Sequence, residues 1–350
     1  MSEAYAILTD RLGYKNSEYL KRILEYLMTP EQADICVNLP STLEELSKKL
    51  GIAQEEVTKN VDKLFRKGVV IPKNWETMEN PRFTRSVNHL HDSTLASLRL
   101  DPVKYPTLGQ LWQEFLEAEW GKDLAKDLNS HEVPSYRIVP SYKAILNSPE
   151  ILPCEDAREF VKAASLRAVC SCTCKKRKAS VGKPCKKSHS GITCIQFNRG
   201  AEYAVTRGTG VTLTVDEAID LLDEIEDDGL IHLGYNSDAI PVPLMCNCCN
   251  DCCLVLNTTL KYKVPPTKVY AKSRYEARVN QEICDGCKTC QRRCPFGAIK
   301  MQKVADKSKA FVDPEKCMGC GVCVITCPTG AMTFELVRPK EHIPTAQQKV

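Results

Sequence analysis

The 350-residue sequence is poor in the signatures of the commoner enzyme classes. It holds no Gly-x-x-x-x-Gly-Lys-Ser/Thr loop, no Gly-x-Gly-x-x-Gly after a strand and no Gly-x-Ser-x-Gly elbow. A phosphate cradle, a dinucleotide site and a hydrolase nucleophile are therefore not written in it. Arg207-Gly208-Thr209-Gly210 is glycine-rich but too short for a nucleotide site. Aromatic residues make up 7%, and of six histidines only His89 and His91 lie close together, a thin basis for a metal or haem site. No stretch approaches the roughly 18 apolar residues that a membrane-spanning helix needs. Met1 to Tyr14 lacks the basic start, apolar run and twin arginines of an export signal, so a cytoplasmic location with reduced thiols is expected. A net charge of +4 does not by itself announce a nucleic-acid partner. What the sequence has in abundance is cysteine, 20 residues of it. A disulfide scaffold is excluded, because a chain this long with 43% hydrophobic residues can bury a core without staples.

Eight of the cysteines form one pattern written twice: Cys284, Cys287, Cys290, Cys294-Pro295, then Cys317, Cys320, Cys323, Cys327-Pro328. Phe296-Gly297-Ala298-Ile299 follows the first Cys-Pro pair and Thr329-Gly330-Ala331-Met332 the second. Each glycine allows a turn with positive φ, and the apolar residue after it is expected to open a short strand. Zinc held by paired Cys-x2-Cys motifs is the competing reading, disfavoured by two tandem runs of four, each closed by proline. The segment resembles the dicluster ferredoxins of bacteria, whose thiolates hold two 4Fe-4S cubanes. That resemblance implies a cluster on Cys284, Cys287, Cys290 and Cys327. It implies a second on Cys317, Cys320, Cys323 and Cys294, because the fourth cysteine of each run serves the other cluster.

Ten further cysteines fall in the middle of the chain as two groups: Cys170, Cys172, Cys174, Cys185, Cys194 and then Cys246, Cys248, Cys249, Cys252, Cys253. Packing does not account for such clustering, although Cys36 and Cys154 read as ordinary buried thiols. The arrangement resembles multi-cluster iron-sulfur proteins of anaerobes. One or two additional 4Fe-4S clusters, or a cluster beside a tetrahedral zinc, satisfy the count, and the partition of ligands stays open. Between the groups, Thr214-Val215-Asp216-Glu217 caps an ordinary amphipathic helix that Gly229 ends. Lys175, Lys176, Arg177, Lys178, Lys183, Lys186 and Lys187 crowd the first group, either as a solvated loop or as charges that tune a cluster and steer a partner.

The N-terminal part reads as helices. Leu20, Ile23, Leu24 and Leu27 make one stripe, Thr29-Pro30-Glu31-Gln32 and Ser41-Thr42-Leu43-Glu44 are helix starts, and Val57, Val61, Leu64 and Phe65 mark a helix over about Gln54 to Lys67. Gly68 stops it before the strand-like Val69-Val70-Ile71. This order resembles a winged helix-turn-helix. In that fold the Gln54–Lys67 helix would enter a DNA groove, but Glu55 and Glu56 in its first turn would repel phosphate. The apolar stretch from Thr107 to Leu128 reads as core or as a dimer contact.

The expected architecture is thus α+β and multidomain: a winged-helix-like domain (1–80), a helical connection (81–150), a cysteine-rich α/β domain (151–262), a linker (263–274), a dicluster ferredoxin fold (275–338) and a tail (339–350). From Arg278 to Arg338 ten basic residues face six acidic ones, a balance of +4. Free dicluster ferredoxins, as a family, are acidic, so the sign here suits a fused electron wire that meets an acidic docking surface on a redox partner. The function expected is single-electron transfer, as a subunit or accessory of a cytoplasmic anaerobic oxidoreductase, with a homodimer through the N-terminal helices as a further expectation. The alternatives are a redox-responsive transcription regulator that binds DNA, and an iron-sulfur enzyme with a catalytic cluster in the middle domain.

Overall fold

Residues 3–188 and 190–345 are described by the computed structural model. Within the expected tail, 346–350 lie outside the described residues. The chain forms two units: one comprises 1–121, 170–184 and 203–211, the other 122–169, 185–202 and 212–350. Among the described residues no helix is long and apolar enough to cross a membrane.

The first unit is built from capped amphipathic helices. Glu18–Leu27 buries Leu20, Ile23, Leu24 and Leu27 as one stripe. Thr29 and Gln32 close a capping box over Pro30–Val37, and Thr42 with Glu45 does the same for Leu43–Leu50. The helix Gln54–Lys67 buries Val57, Val61, Leu64 and Phe65 and ends at Gly68 in the left-handed region. A short antiparallel pair, Val70–Ile71 with Arg82–Phe83, follows. Arg207, from the glycine-rich stretch, donates to Phe65 O (2.9 Å), Arg66 O (3.1 Å) and Ser93 O (2.8 Å), so its task is to cap the end of the Gln54–Lys67 helix. His91 is buried between Trp112 and Trp120, with ring centroids at 5.2 and 5.3 Å. His89 sits beside the Thr84 hydroxyl at 3.0 Å. His91 Nδ1 lies 2.8 Å from Asp92 Oδ1, while its buried Nε2 has no hydrogen-bond partner among the described residues.

In the second unit the strands lie in the order 167–169, Cys194–Phe197, Leu244–Cys248, Ile231–Tyr235, Tyr136–Val139, Tyr270–Ala271. Ile195 pairs with Met245, and Leu233 with Cys246. Val139, Ile195 and Met245 point to one face, where Phe160, Val161, Leu222 and Ile225 from two helices complete the core. Because strand side chains alternate, Cys194, Cys246 and Cys248 turn to the opposite face.

The C-terminal part of this unit holds two antiparallel pairs. Tyr275–Val279 pairs with Met332–Leu336, and Ile299–Val304 with Lys307–Val312. Ile299 and Met332 each open a strand after a glycine of positive φ, Gly297 at 64° and Gly330 at 67°.

Candidate metal and cluster centres

Two cavities lie in the C-terminal part. One is lined by Cys284, Cys287, Cys290 and Cys327 together with Met301, Ala310, Ala331 and Met332. The other is lined by Cys294, Cys317, Cys320 and Cys323 with Ala277, Phe296, Ile299 and Phe334. Each cavity therefore takes three cysteines from one run and the fourth from the other. The residue that opens the strand after each Cys-Pro pair lines the same cavity as that pair's cysteine, Ile299 with Cys294 and Met332 with Cys327.

The walls are apolar, and backbone N–H groups supply the polar contacts to sulfur. Ala298 N–H donates to Cys294 Sγ at 3.3 Å and Met332 N–H to Cys327 Sγ at 3.4 Å. Burial, followed by the charge of Cys294, pushes the Cys320 thiol up to about 12. Burial and the neighbouring thiols push Cys323 up as well. At Cys327 burial also opposes ionisation, but the N–H of Met332 and the Thr329 hydroxyl outweigh it and hold the thiol below its usual value. The buried thiols Cys320 and Cys323 resist ionisation unless a cationic core compensates them, which is what iron in a cubane provides. The donor sets, apolar walls and N–H contacts fit one 4Fe-4S cluster in each cavity. Cys287 is exposed, which puts the first site nearest to solvent on that side.

The second cavity is tied to the strands of the same unit. Ser141 N–H donates to Cys320 O at 3.0 Å. A Cβ on Gly321 would meet Ala144 Cβ at 2.7 Å, so this ligand loop approaches too closely for any side chain there. Next to Ser141, Tyr142 N–H donates to Glu226 at 2.6 Å; Glu226 lies 3.4 Å from His232, and His232 lies 2.6 Å from Asn247 Oδ1. Asn247 in turn donates to Thr193 O at 2.7 Å. Asn247 stands between Cys246 and Cys248, and Thr193 precedes Cys194. This buried chain of hydrogen bonds therefore fixes the strands that carry the middle thiols relative to the second cavity.

The first sequence group of middle cysteines is divided between the two units. Cys170, Cys172 and Cys174 belong to the first, and Cys185 and Cys194 to the second. Burial pushes Cys170 up to about 11, and Cys172 is raised by its hydrogen bond with Cys174 and then by burial. Cys194 accepts a hydrogen bond from Gln196 at 3.0 Å. Extending the Ile195–Met245 register by one residue sets Cys194 opposite Cys246. Cys248 hydrogen-bonds with Cys246 and Cys253, and these contacts with burial raise its thiol. Tyr270 is fully buried on this face, its hydroxyl is without a partner among the described residues, and the nearby Cys253, Cys248 and Cys246 add to burial in raising its pKa. The Tyr270 ring meets Phe296, a wall of the second cavity, at 6.4 Å. Nothing in the sequence marked Tyr270 as part of a site, since its role depends on strand pairing.

Cys185, Cys249 and Cys252 form a separate group with Asp251. The basic stretch is divided: Lys183 and Lys186 are exposed, whereas its first part is not solvated. Lys175, Lys176 and Arg177 are buried on the helix Thr173–Ser180, where Lys176 donates to Ser97 O and, at 2.7 Å, to Leu100 O, while Arg177 reaches Gln113. Lys176 is thus received by two backbone carbonyls and Arg177 by a side-chain amide of the first unit.

Comparison with known proteins agrees with the C-terminal geometry. Residues 283–331 match the family model of the 4Fe-4S dicluster domain. No curated protein matches the chain. The match covers the eight cysteines of the two cavities, and the C-terminal part is of ferredoxin type within a mixed α/β multidomain protein.

Proposed function

We propose that the protein relays single electrons between a redox partner and a middle iron-sulfur centre, with the dicluster part as the wire. The observation that carries this reading is the continuous packing from the second cavity to the middle thiol face through Phe296 and Tyr270. Bound 4Fe-4S clusters supply reversible one-electron chemistry without proton transfer at a side chain. The chain's own residues hold and insulate them. Cys194, Cys246, Cys248 and Cys253 offer four thiolates for one further cluster, and Tyr270 offers a buried hydroxyl donor beside them.

Cys287, flanked by the exposed Lys288 and Arg292, is the proposed point of electron entry or exit. Those cations suit a partner with an acidic surface. The N-terminal helices, in a winged-helix-like order, are assigned to docking a partner enzyme or a second copy. DNA binding is the weaker reading, because the groove-entering helix spends its charge internally: Lys59 pairs with Glu55 at 2.8 Å, Arg66 with Asp62 at 2.9 Å, and Lys67 donates to Leu27 O at 2.6 Å. A cytoplasmic, anaerobic oxidoreductase system is the proposed setting.

The test is iron and acid-labile sulfide per chain on anoxically purified protein, with EPR during stepwise reduction. About twelve irons are expected, eight in the ferredoxin part and four on the middle face. About eight irons, with no further paramagnetic centre on reduction, would remove the middle cluster. Failure of any centre to accept an electron would remove the relay altogether.

A further inference from the structure

Five cysteines between Cys246 and Cys253 are sorted by the fold according to direction. Strand alternation sends Cys246 and Cys248 to the thiol face described above, whereas Cys249 and Cys252, in the turn that follows, enter the hydrophobic core. Both are 1% exposed. There they meet Cys185, whose Sγ lies 3.7 Å from that of Cys249. The three sulfurs and a carboxylate oxygen of Asp251 all lie within 4.8 Å of one another.

That spacing separates a single tetrahedral ion from a cubane. Ligands about 2.3 Å from a tetrahedral ion stand about 3.8 Å apart. Thiolates on a cubane each bind a different iron and stand roughly 6 Å apart. The chain contains its own control, since the eight ferredoxin cysteines line cavities yet form no group this tight among the described residues.

We propose that Cys185, Cys249, Cys252 and Asp251 bind one zinc ion in a closed, structural site. The carboxylate is already oriented for it: Lys186 N–H holds Asp251 Oδ2 at 2.8 Å, while Oδ1 lies 3.9 Å from Cys185 Sγ. Ser188 N–H supports Cys185 Sγ at 3.4 Å. Four protein donors leave no open position for substrate, so the ion staples the Cys185 loop to the turn after Leu244–Cys248. That turn leads into the helix Leu254–Lys261, whose N-cap is Cys253. The zinc site itself does not depend on the electron-relay reading.

Zinc K-edge X-ray absorption on the full chain, purified without oxygen, tests this directly. The expected result is about one zinc per chain with three sulfur neighbours at about 2.3 Å and one oxygen at about 2.0 Å. Cys249→Ser should lower zinc severalfold while iron content and the ferredoxin EPR signals stay constant. Absence of zinc from the wild-type protein, or loss of about four irons in Cys249→Ser, would overturn the assignment. Should that variant fail to fold, the wild-type absorption spectrum still decides. Loss of electron transfer with zinc retained would count against the relay alone.

Discussion

Arg274 immediately precedes the strand Tyr275–Val279 of the ferredoxin part and is 1% exposed, yet its charge is matched inside the second unit by Glu155, which is fully buried. The pair is two-pronged, with Nε to Oε1 at 3.0 Å and Nη2 to Oε2 at 2.9 Å. Glu155→Gln keeps the shape but removes the charge and turns an amide NH2 toward the guanidinium. Breaking one side of a buried pair costs about 3–5 kcal/mol. Glu150, half exposed, still accepts from Nη1 at 2.9 Å, so the lower end, about 3 kcal/mol, is expected. At about 2–4 °C per kcal/mol this lowers the melting temperature by roughly 6–12 °C. Circular dichroism melts at equal iron content measure it. Replacing both residues with methionine should recover most of the loss, because a buried pair is often close to neutral against apolar side chains. A change under about 2 °C for Glu155→Gln would refute the argument that this pair anchors the ferredoxin strand.

Three further outcomes are expected. Cys294→Ala should remove about four irons and give the residual EPR signal of Cys320→Ala, not that of Cys284→Ala, because Cys294 lines the second cavity; a match to Cys284→Ala would reverse the ligand exchange. Reversing the rim with Lys288→Glu and Arg292→Glu should slow reduction by an acidic redox partner about tenfold at low salt and weaken its salt dependence, in stopped-flow measurements; unchanged rates would move the docking point elsewhere. At Glu226 burial opposes ionisation, but the hydrogen bond and charge of His232 and the N–H groups of Tyr142 and Lys143 hold the carboxyl below its ordinary value. A depressed folded pKa adds stability that is fully present above the unfolded value of about 4.3 and is lost as pH falls through the folded one. The melting-temperature advantage of wild type over Glu226→Gln should therefore be constant from about pH 7 to 5 and shrink below about pH 4, and an advantage that grew on acidification would contradict the sign.

How much was legible beforehand depends on the distance over which each feature is decided. The capping boxes at Thr29 and Thr214, the Gly68 stop and the strands after Gly297 and Gly330 are local, fixed by side chains within a few residues of the backbone they shape. The burial of Lys176 and Arg177 was not legible, since the carbonyls and amide that receive them are far away in sequence. Neither was the capping task of Arg207, which belongs to a helix about 140 residues earlier.

By itself the sequence determined that this protein is built around iron-sulfur chemistry, because three thiols spaced by two residues present a cluster with ligands from one turn of chain, whatever surrounds it. It also determined the helical punctuation of the first unit. Only the tertiary structure decided which way each middle cysteine turns. Cys246 and Cys248 share a face by strand alternation, while Cys249 and Cys252 turn into the core to meet Cys185, 64 residues away from Cys249. Neighbouring positions in the chain thus part company in space, and direction of approach, which spacing alone does not encode, separates the tight group of Cys185, Cys249 and Cys252 from the thiol face of Cys246 and Cys248.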